Sequence, residues 1–262
     1  MMNILETIIV KKKIEVEKKK HSKTIDELEK NIFFKNETFS LKKFLLENSR
    51  TGIIAEFKRK SPSKGIINNF LSVKEVTTKY AEHGASAVSV LTDEEFFGGS
   101  LDDLMEARIN EIPILRKDFI VDEYQIIESK SYGADIILLI AACLSKKEVK
   151  KFSNFAKNIG LNVLLEIHNE NELEHICDDI DVVGINNRDL KTFKVDLNHS
   201  IELCKKIPLE KIKISESGID DVKTVKHLKQ NGFSGFLIGE RFMKEKNPGK
   251  AFVQFVEKLK QG

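Results

Sequence analysis

The chain is short of cysteine, of long apolar runs and of net charge, and each shortage closes off a class of function. Its three cysteines, Cys143, Cys177 and Cys204, are far apart and form no Cys-x-x-Cys pair. Isolated thiols of this kind support neither a disulfide framework nor a metal cluster, and they suit apolar positions in a reducing compartment. No apolar stretch approaches the length of a membrane helix, and Ile8-Ile9-Val10 runs straight into Lys11-Lys12-Lys13. A secretory leader has the opposite order, so a cytoplasmic protein without a membrane partner is expected. Lys and Arg number 43 against 41 Asp and Glu, a formal net charge of +2. That balance provides no global field for nucleic acid, so any anion must be held by a local site. Nucleotide-binding glycine patterns are missing too: no strand leads into Gly-x-Gly-x-x-Gly, and there is no Gly-x-x-x-x-Gly-Lys.

What is present is alternation. Short β-branched runs occur at Gly52–Phe57, Ser86–Leu91, Ile112–Leu115, Asp135–Ile140, Asn162–Ile167, Asp181–Ile185, Lys211–Ser215 and Gly235–Ile238. Amphipathic stretches separate them, at Ser72–His83, Leu101–Ile109, Asp122–Tyr132, Ser145–Ile159, Glu170–Cys177, Leu197–Lys206, Asp220–Gln230 and Gly249–Leu259. Gly84, Gly133, Gly160 and Gly232 stand where a left-handed helix cap is needed. Continuous apolar strands in strict alternation with helices imply a parallel sheet buried on both faces. Eight such units in a chain of 262 residues predict an α/β fold of the closed (β/α)₈ barrel type rather than an open sheet. A single domain is expected, with residues 1–50 as a helical extension and 51–262 as the barrel. Within the extension, Met2–Lys20 and Ser40–Glu47 have helical spacing and are read as two helices that shield the barrel, with Phe33, Phe34 and Phe39 as core candidates. Their lysine runs could also form a nucleic-acid arm, but interleaved glutamates argue against it.

Active sites of such barrels gather at the carboxyl ends of the strands. Those ends carry Glu56 and Lys58; Arg116, Lys117 and Asp118; Glu166 and His168; Asn186, Asn187 and Arg188; Ser215, Glu216 and Ser217; and Gly239 with Glu240. Glu56 and Lys58 alternate, so they share a face, and the basic, serine-rich loop that follows suits a mobile segment meeting an anion. Acids and amines converging on one mouth perturb one another's protonation, which is what proton-transfer chemistry uses. Glu166 and His168 could be metal ligands, but the other strand ends offer mainly amines and amides. Ser215-Glu216-Ser217-Gly218-Ile219 and Gly235-Phe236-Leu237-Ile238-Gly239 place glycine turns after the last two strands, the usual phosphate position of these barrels.

These pieces together resemble a known family. Ile54-Ala55-Glu56-Phe57-Lys58-Arg59-Lys60-Ser61-Pro62-Ser63-Lys64-Gly65, Val90-Leu91-Thr92-Asp93 with Phe96-Phe97-Gly98-Gly99-Ser100, and Ile114-Leu115-Arg116-Lys117-Asp118-Phe119 are similar to segments of the indole-3-glycerol-phosphate synthases of tryptophan biosynthesis. Leu165-Glu166-Ile167-His168, Gly184-Ile185-Asn186-Asn187-Arg188-Asp189-Leu190, Ser215-Glu216-Ser217-Gly218-Ile219 and Leu237-Ile238-Gly239-Glu240 continue the match in family order. The resemblance implies closure of 1-(2-carboxyphenylamino)-1-deoxyribulose 5-phosphate to indole-3-glycerol phosphate, with release of CO2 and water and no cofactor or metal. It implies Lys117 as general acid at the ketone oxygen, and Glu166 as general base. Lys58 lies near the substrate carboxylate and shares or takes over proton donation in the dehydration. Glu56 and Asn186 orient the lysines and hydroxyls. Phe97 and Phe119 line an aryl slot, while Ser61, Gly218, Gly239 and the amide of Glu240 hold phosphate. Arg188, Glu216, Ser217 and Leu237 complete the substrate contacts. Glu240 stands where some members have serine, so its carboxylate must turn away from the phosphate, and Arg241-Phe242-Met243 departs from the usual small residue. A monomer that meets only this small phosphorylated substrate is expected. It would be monofunctional, since no isomerase domain follows Gly262. A sugar-phosphate isomerase and a non-catalytic barrel are the rival readings; neither needs both lysines and Glu166 beside an aryl slot.

Overall fold

The structure is a computed structural model that describes residues 3–189 and 192–261. Eight parallel strands close into a barrel in chain order. They are β1 (Ile53–Phe57), β2 (Ala87–Leu91), β3 (Ile114–Lys117), β4 (Ile136–Ile140), β5 (Asn162–Ile167), β6 (Val182–Asn186), β7 (Ile212–Glu216) and β8 (Gly235–Ile238). The seam joins β1 to β8, with Ile54 opposite Leu237. The expected α/β barrel is therefore present. β3 starts two residues later than its apolar run, because Pro113 has no N–H for the ladder; its carbonyl still accepts from Val88 at 2.9 Å. The Glu170–Cys177 stretch forms only a 3₁₀ turn, Glu170–His175, since Glu172 bends back to accept from the His168 N–H at 2.7 Å. Gly84, Gly133, Gly160 and Gly232 all have positive φ, as helix ends of this type require.

Strand alternation divides the apolar residues into two layers. Ile54, Leu115, Leu138, Leu164, Ile214 and Leu237 fill the barrel interior, and helix Leu41–Leu46 plugs its amino-terminal end through Leu41 and Leu45. Ile53, Ala55, Val88, Ile137, Val163 and Val183 point outward against the helices. Followed to the carboxyl ends, the inward series runs on to Glu56 in β1, Lys117 in β3, Glu166 in β5, Asn186 in β6 and Glu216 in β7, whereas β2 and β4 end inward on Leu91 and Ile140. Charge is thus concentrated on part of the rim.

The first helix, α1 (Ile4–Ser22), does more than shield the barrel. Lys12, in the middle of the lysine run, is only 1% exposed, and its ammonium lies 2.8 Å from Asp93, 3.0 Å from Asp118 and 2.9 Å from Glu15. Burial favours loss of its proton, but these carboxylates outweigh that and hold Lys12 charged well above the ordinary lysine range. The buried ion cluster fastens α1 over the segments that follow β2 and β3. Phe33, Phe34 and Phe39, expected in the core, are only half-buried; Phe39 packs edge-on to Phe44 with centroids 5.7 Å apart.

Candidate active site

A cavity of about 380 Å³ opens at the carboxyl ends of the strands, and every residue named above as a candidate for catalysis or substrate binding lines it. On the acid–base side, Lys117 Nζ stands 2.7 Å from Glu166 Oε2 and 3.0 Å from Glu216 Oε2. Asn186 Nδ2 donates to Glu166 Oε1 at 3.2 Å, and the Asn186 side-chain oxygen accepts from the Arg188 N–H at 3.0 Å. Across the mouth, Lys58 Nζ donates to Glu56 Oε1 at 2.7 Å.

Two glycines let these carboxylates lie flat on the walls. A Cβ at Gly239 would overlap Glu56, and one at Gly184 would overlap Glu216 Oε1. Glu216, grouped from sequence with the substrate and phosphate contacts, thus lies beside Lys117.

The protonation pattern follows from this packing. Burial alone would strip Lys117 of its proton, but Glu166, Glu216 and Glu56 overcome it and push its pKa far up. Glu166 is driven up by burial, yet Lys117 and His168 pull harder and hold it well below the usual carboxylate range. Glu216 shares the same ammonium, but burial and the neighbouring Glu166 charge win, and its pKa is pushed up to about 7.

Phe97 and Phe119 face the cavity with ring centroids 6.2 Å apart. The opposite corner is polar. Ser217 and Gly218 are consecutive left-handed residues, at φ 68° and 69°. Ser61 sits on a small antiparallel hairpin, Lys60–Ser61 with Gly65–Ile66. The Glu240 carboxylate is drawn to Lys64 at 3.8 Å and Arg188 at 3.7 Å.

Other strand-end residues have the opposite parity and miss the mouth. Arg116 is buried outside the barrel against Asp118, at 3.0 Å, and Glu128, at 2.8 Å. Asn187 Nδ2 reaches Ser215 Oγ at 3.0 Å and the Ser217 carbonyl at 2.7 Å. Leu190 lies outside the described residues.

A sequence model for the family described as Indole-3-glycerol phosphate synthase matches residues 5–255. Proteins of that name from Bacteroides thetaiotaomicron and Caldanaerobacter subterraneus subsp. tengcongensis are 46% and 45% identical, each match covering 99% of this chain and 100% of the relative. The chain belongs to the indole-3-glycerol phosphate synthase family. Enzymes of this family are carboxy-lyases of tryptophan biosynthesis. Similar solved structures include a mutant tryptophan synthase alpha-subunit from Pyrococcus furiosus, at 16% identity and TM-score 0.61, covering 81% of this chain and 99% of that one. The alpha subunit from Legionella pneumophila has TM-score 0.62 at 14% identity, covering 84% and 97%. At such identities these two establish the barrel and nothing finer.

Sequence reasoning missed one wall of the cavity. Ile4, Leu5 and Ile8 of α1 line it, beside Leu138 and Ile140 from β4. Their helical spacing was legible, but it could not tell a shield from a wall.

Proposed function

We propose that this chain closes 1-(2-carboxyphenylamino)-1-deoxyribulose 5-phosphate to indole-3-glycerol phosphate, with Lys117 as the general acid. The observation that carries the assignment is one ammonium held by Glu166 and Glu216 at the edge of a cavity that Phe97, Phe119, Lys58 and Arg188 also line. In the first step the carboxyl-bearing aryl carbon attacks the ketone carbon, and the ketone oxygen takes a proton from Lys117. A developing alkoxide is far more basic than an amine, so the raised pKa of Lys117 does not block the transfer; it keeps the donor loaded. Loss of CO2 then returns the bonding pair to the ring. In the dehydration the hydroxyl departs as water with a proton from Lys58, or from Lys117 once solvent has reprotonated it, while Glu166 accepts the proton released as the double bond forms.

Glu56 orients Lys58, and Asn186 steadies Glu166. Phe97 and Phe119 hold the aryl ring, with Leu237 on the cavity wall. Ser61, Ser217, Gly218, Gly239 and the amide of Glu240 take the phosphate. The pull of Lys64 and Arg188 on the Glu240 carboxylate favours that arrangement. Extension and barrel act as one domain, since α1 is both pinned by Lys12 and part of the wall. We further infer a cytoplasmic monomer. Its three cysteines are free, and no helix among the described residues is long and apolar enough to cross a membrane.

Product indole fluorescence is a direct assay, because the chain contains no tryptophan. The parent protein should form the product without added cofactor. Lys117→Ala should lose turnover by roughly 10²–10⁴-fold while still binding product analogues. Turnover within about threefold of the parent would show that Lys117 is not the acid.

A further inference from the structure

Lys117 binds two buried carboxylates, yet these differ in protonation, and the difference lies behind Glu166. His168, two residues further along, is largely buried. Its Nε2 is 3.3 Å from Glu166 Oε1 and its Nδ1 is 3.4 Å from Glu172 Oε2. Glu172 is itself fixed, accepting from the His168 N–H at 2.7 Å and from Asn169 Nδ2 at 2.6 Å. Neither ring nitrogen has a well-aligned hydrogen bond among the described residues, so the ring is held chiefly by charge.

We propose that His168 is a positioning residue for the reaction: an imidazolium clamped between Glu172 and Glu166 that orients the Glu166 carboxylate and keeps it ionised. The proposal rests on the reading of Glu166 as the base. When Lys117 has given its proton away it no longer supplies a charge to Glu166, and His168 is then the cation in contact with that carboxylate. Glu216 provides the internal comparison. It touches the same Lys117, but its Oε1 has no hydrogen-bond partner among the described residues, and it is pushed up to about 7.

The groups around His168 favour its charged form. Glu166 and Glu172 face the ring nitrogens, with Lys117 and then Glu216 beyond Glu166. Cys143, after β4, feels both Glu166 and Glu172 and stays a neutral thiol, its pKa pushed up to about 12, chiefly by burial. His199 meets His168 at its carbonyl, through Nε2 at 3.0 Å. Burial works against the imidazolium, but the two carboxylates prevail and raise its pKa to about 10.

Nitrogen-15 NMR of the histidine side chains in the intact protein at neutral pH should find both His168 nitrogens protonated; a neutral ring there overturns the proposal. His168→Asn should lower kcat by about tenfold or more with KM changed far less. Its acid limb in the kcat–pH profile should move up, because Glu166 has lost a cation. Glu172→Gln, which keeps an acceptor but removes the charge, should shift the same limb in the same direction, and it serves if His168→Asn does not fold. Reduced thermal stability with parental kcat and an unmoved acid limb would mean a purely structural histidine. Glu166→Gln run in parallel separates the two ideas. If it keeps parental turnover, the base assignment fails and the proposal with it. If it is inactive while the His168 and Glu172 variants keep the parental profile, only the role of His168 is overturned.

Discussion

Glu216 lies against Gly184 on the adjacent strand so closely that any β-carbon at 184 would overlap its Oε1. A bare backbone at that point is what allows a buried carboxylate to reach Lys117, at 3.0 Å, from β7. Gly184 is therefore part of the geometry of the site, although it carries no functional group.

Gly184→Ala should fold, because its backbone is not in the left-handed region, but it should push Glu216 off Lys117. Overpacking of this kind costs about 1–3 kcal/mol. Urea denaturation and steady-state kinetics should show lower stability and lower kcat together. Parental values for both would mean that the wall yields without disturbing Glu216.

Glu216 also sets a pH dependence of stability. Its pKa is raised from 4.5 to about 7 in the folded chain, so between those values the folded state binds more protons than the unfolded state. Its stabilising contribution is complete below about 4.5 and is lost as the pH rises through about 7. Glu216→Gln should flatten the decline of stability across that window. An unchanged slope in urea midpoints measured from pH 4.5 to 7 would place the titration elsewhere.

Lys12→Met removes the cation shared by Asp93 and Asp118 and leaves both carboxylates buried. Breaking one side of a buried pair costs roughly 3–5 kcal/mol. Stability should fall by that order, followed by far-UV circular dichroism since the chain has no tryptophan. KM should rise as well, because Ile4, Leu5 and Ile8 would lose their seat on the cavity wall. A loss below about 1 kcal/mol, the level of a surface pair, would show that Lys12 is not what fastens α1.

Continuous β-branched runs and helical spacing are local properties, so eight strands, their carboxyl ends and the pairing of Glu56 with Lys58 were legible in the amino-acid sequence. The glycine caps and the polar rim belong to the same class. Each depends on a few neighbouring residues and on the two repeat lengths of the backbone.

Which parity faces inward is a different matter, because it depends on closure of the barrel. Lys117 and Arg116 look alike as neighbouring cations at a strand end. Closure sends Lys117 into the cavity and Arg116 out to Glu128. In the sequence Lys12 is one member of a lysine run, and docking of α1 buries it among carboxylates contributed by distant segments. The unequal protonation of Glu166 and Glu216 has the same origin. Both are glutamates at the inward end of a strand, and both touch Lys117. His168 follows Glu166 at strand spacing, but only the tertiary fold puts Glu172 behind that histidine, Asn186 beside Glu166 and Gly184 against Glu216. Burial and Coulomb energy depend on distance through space, so the chain encodes these contacts without displaying them along its length.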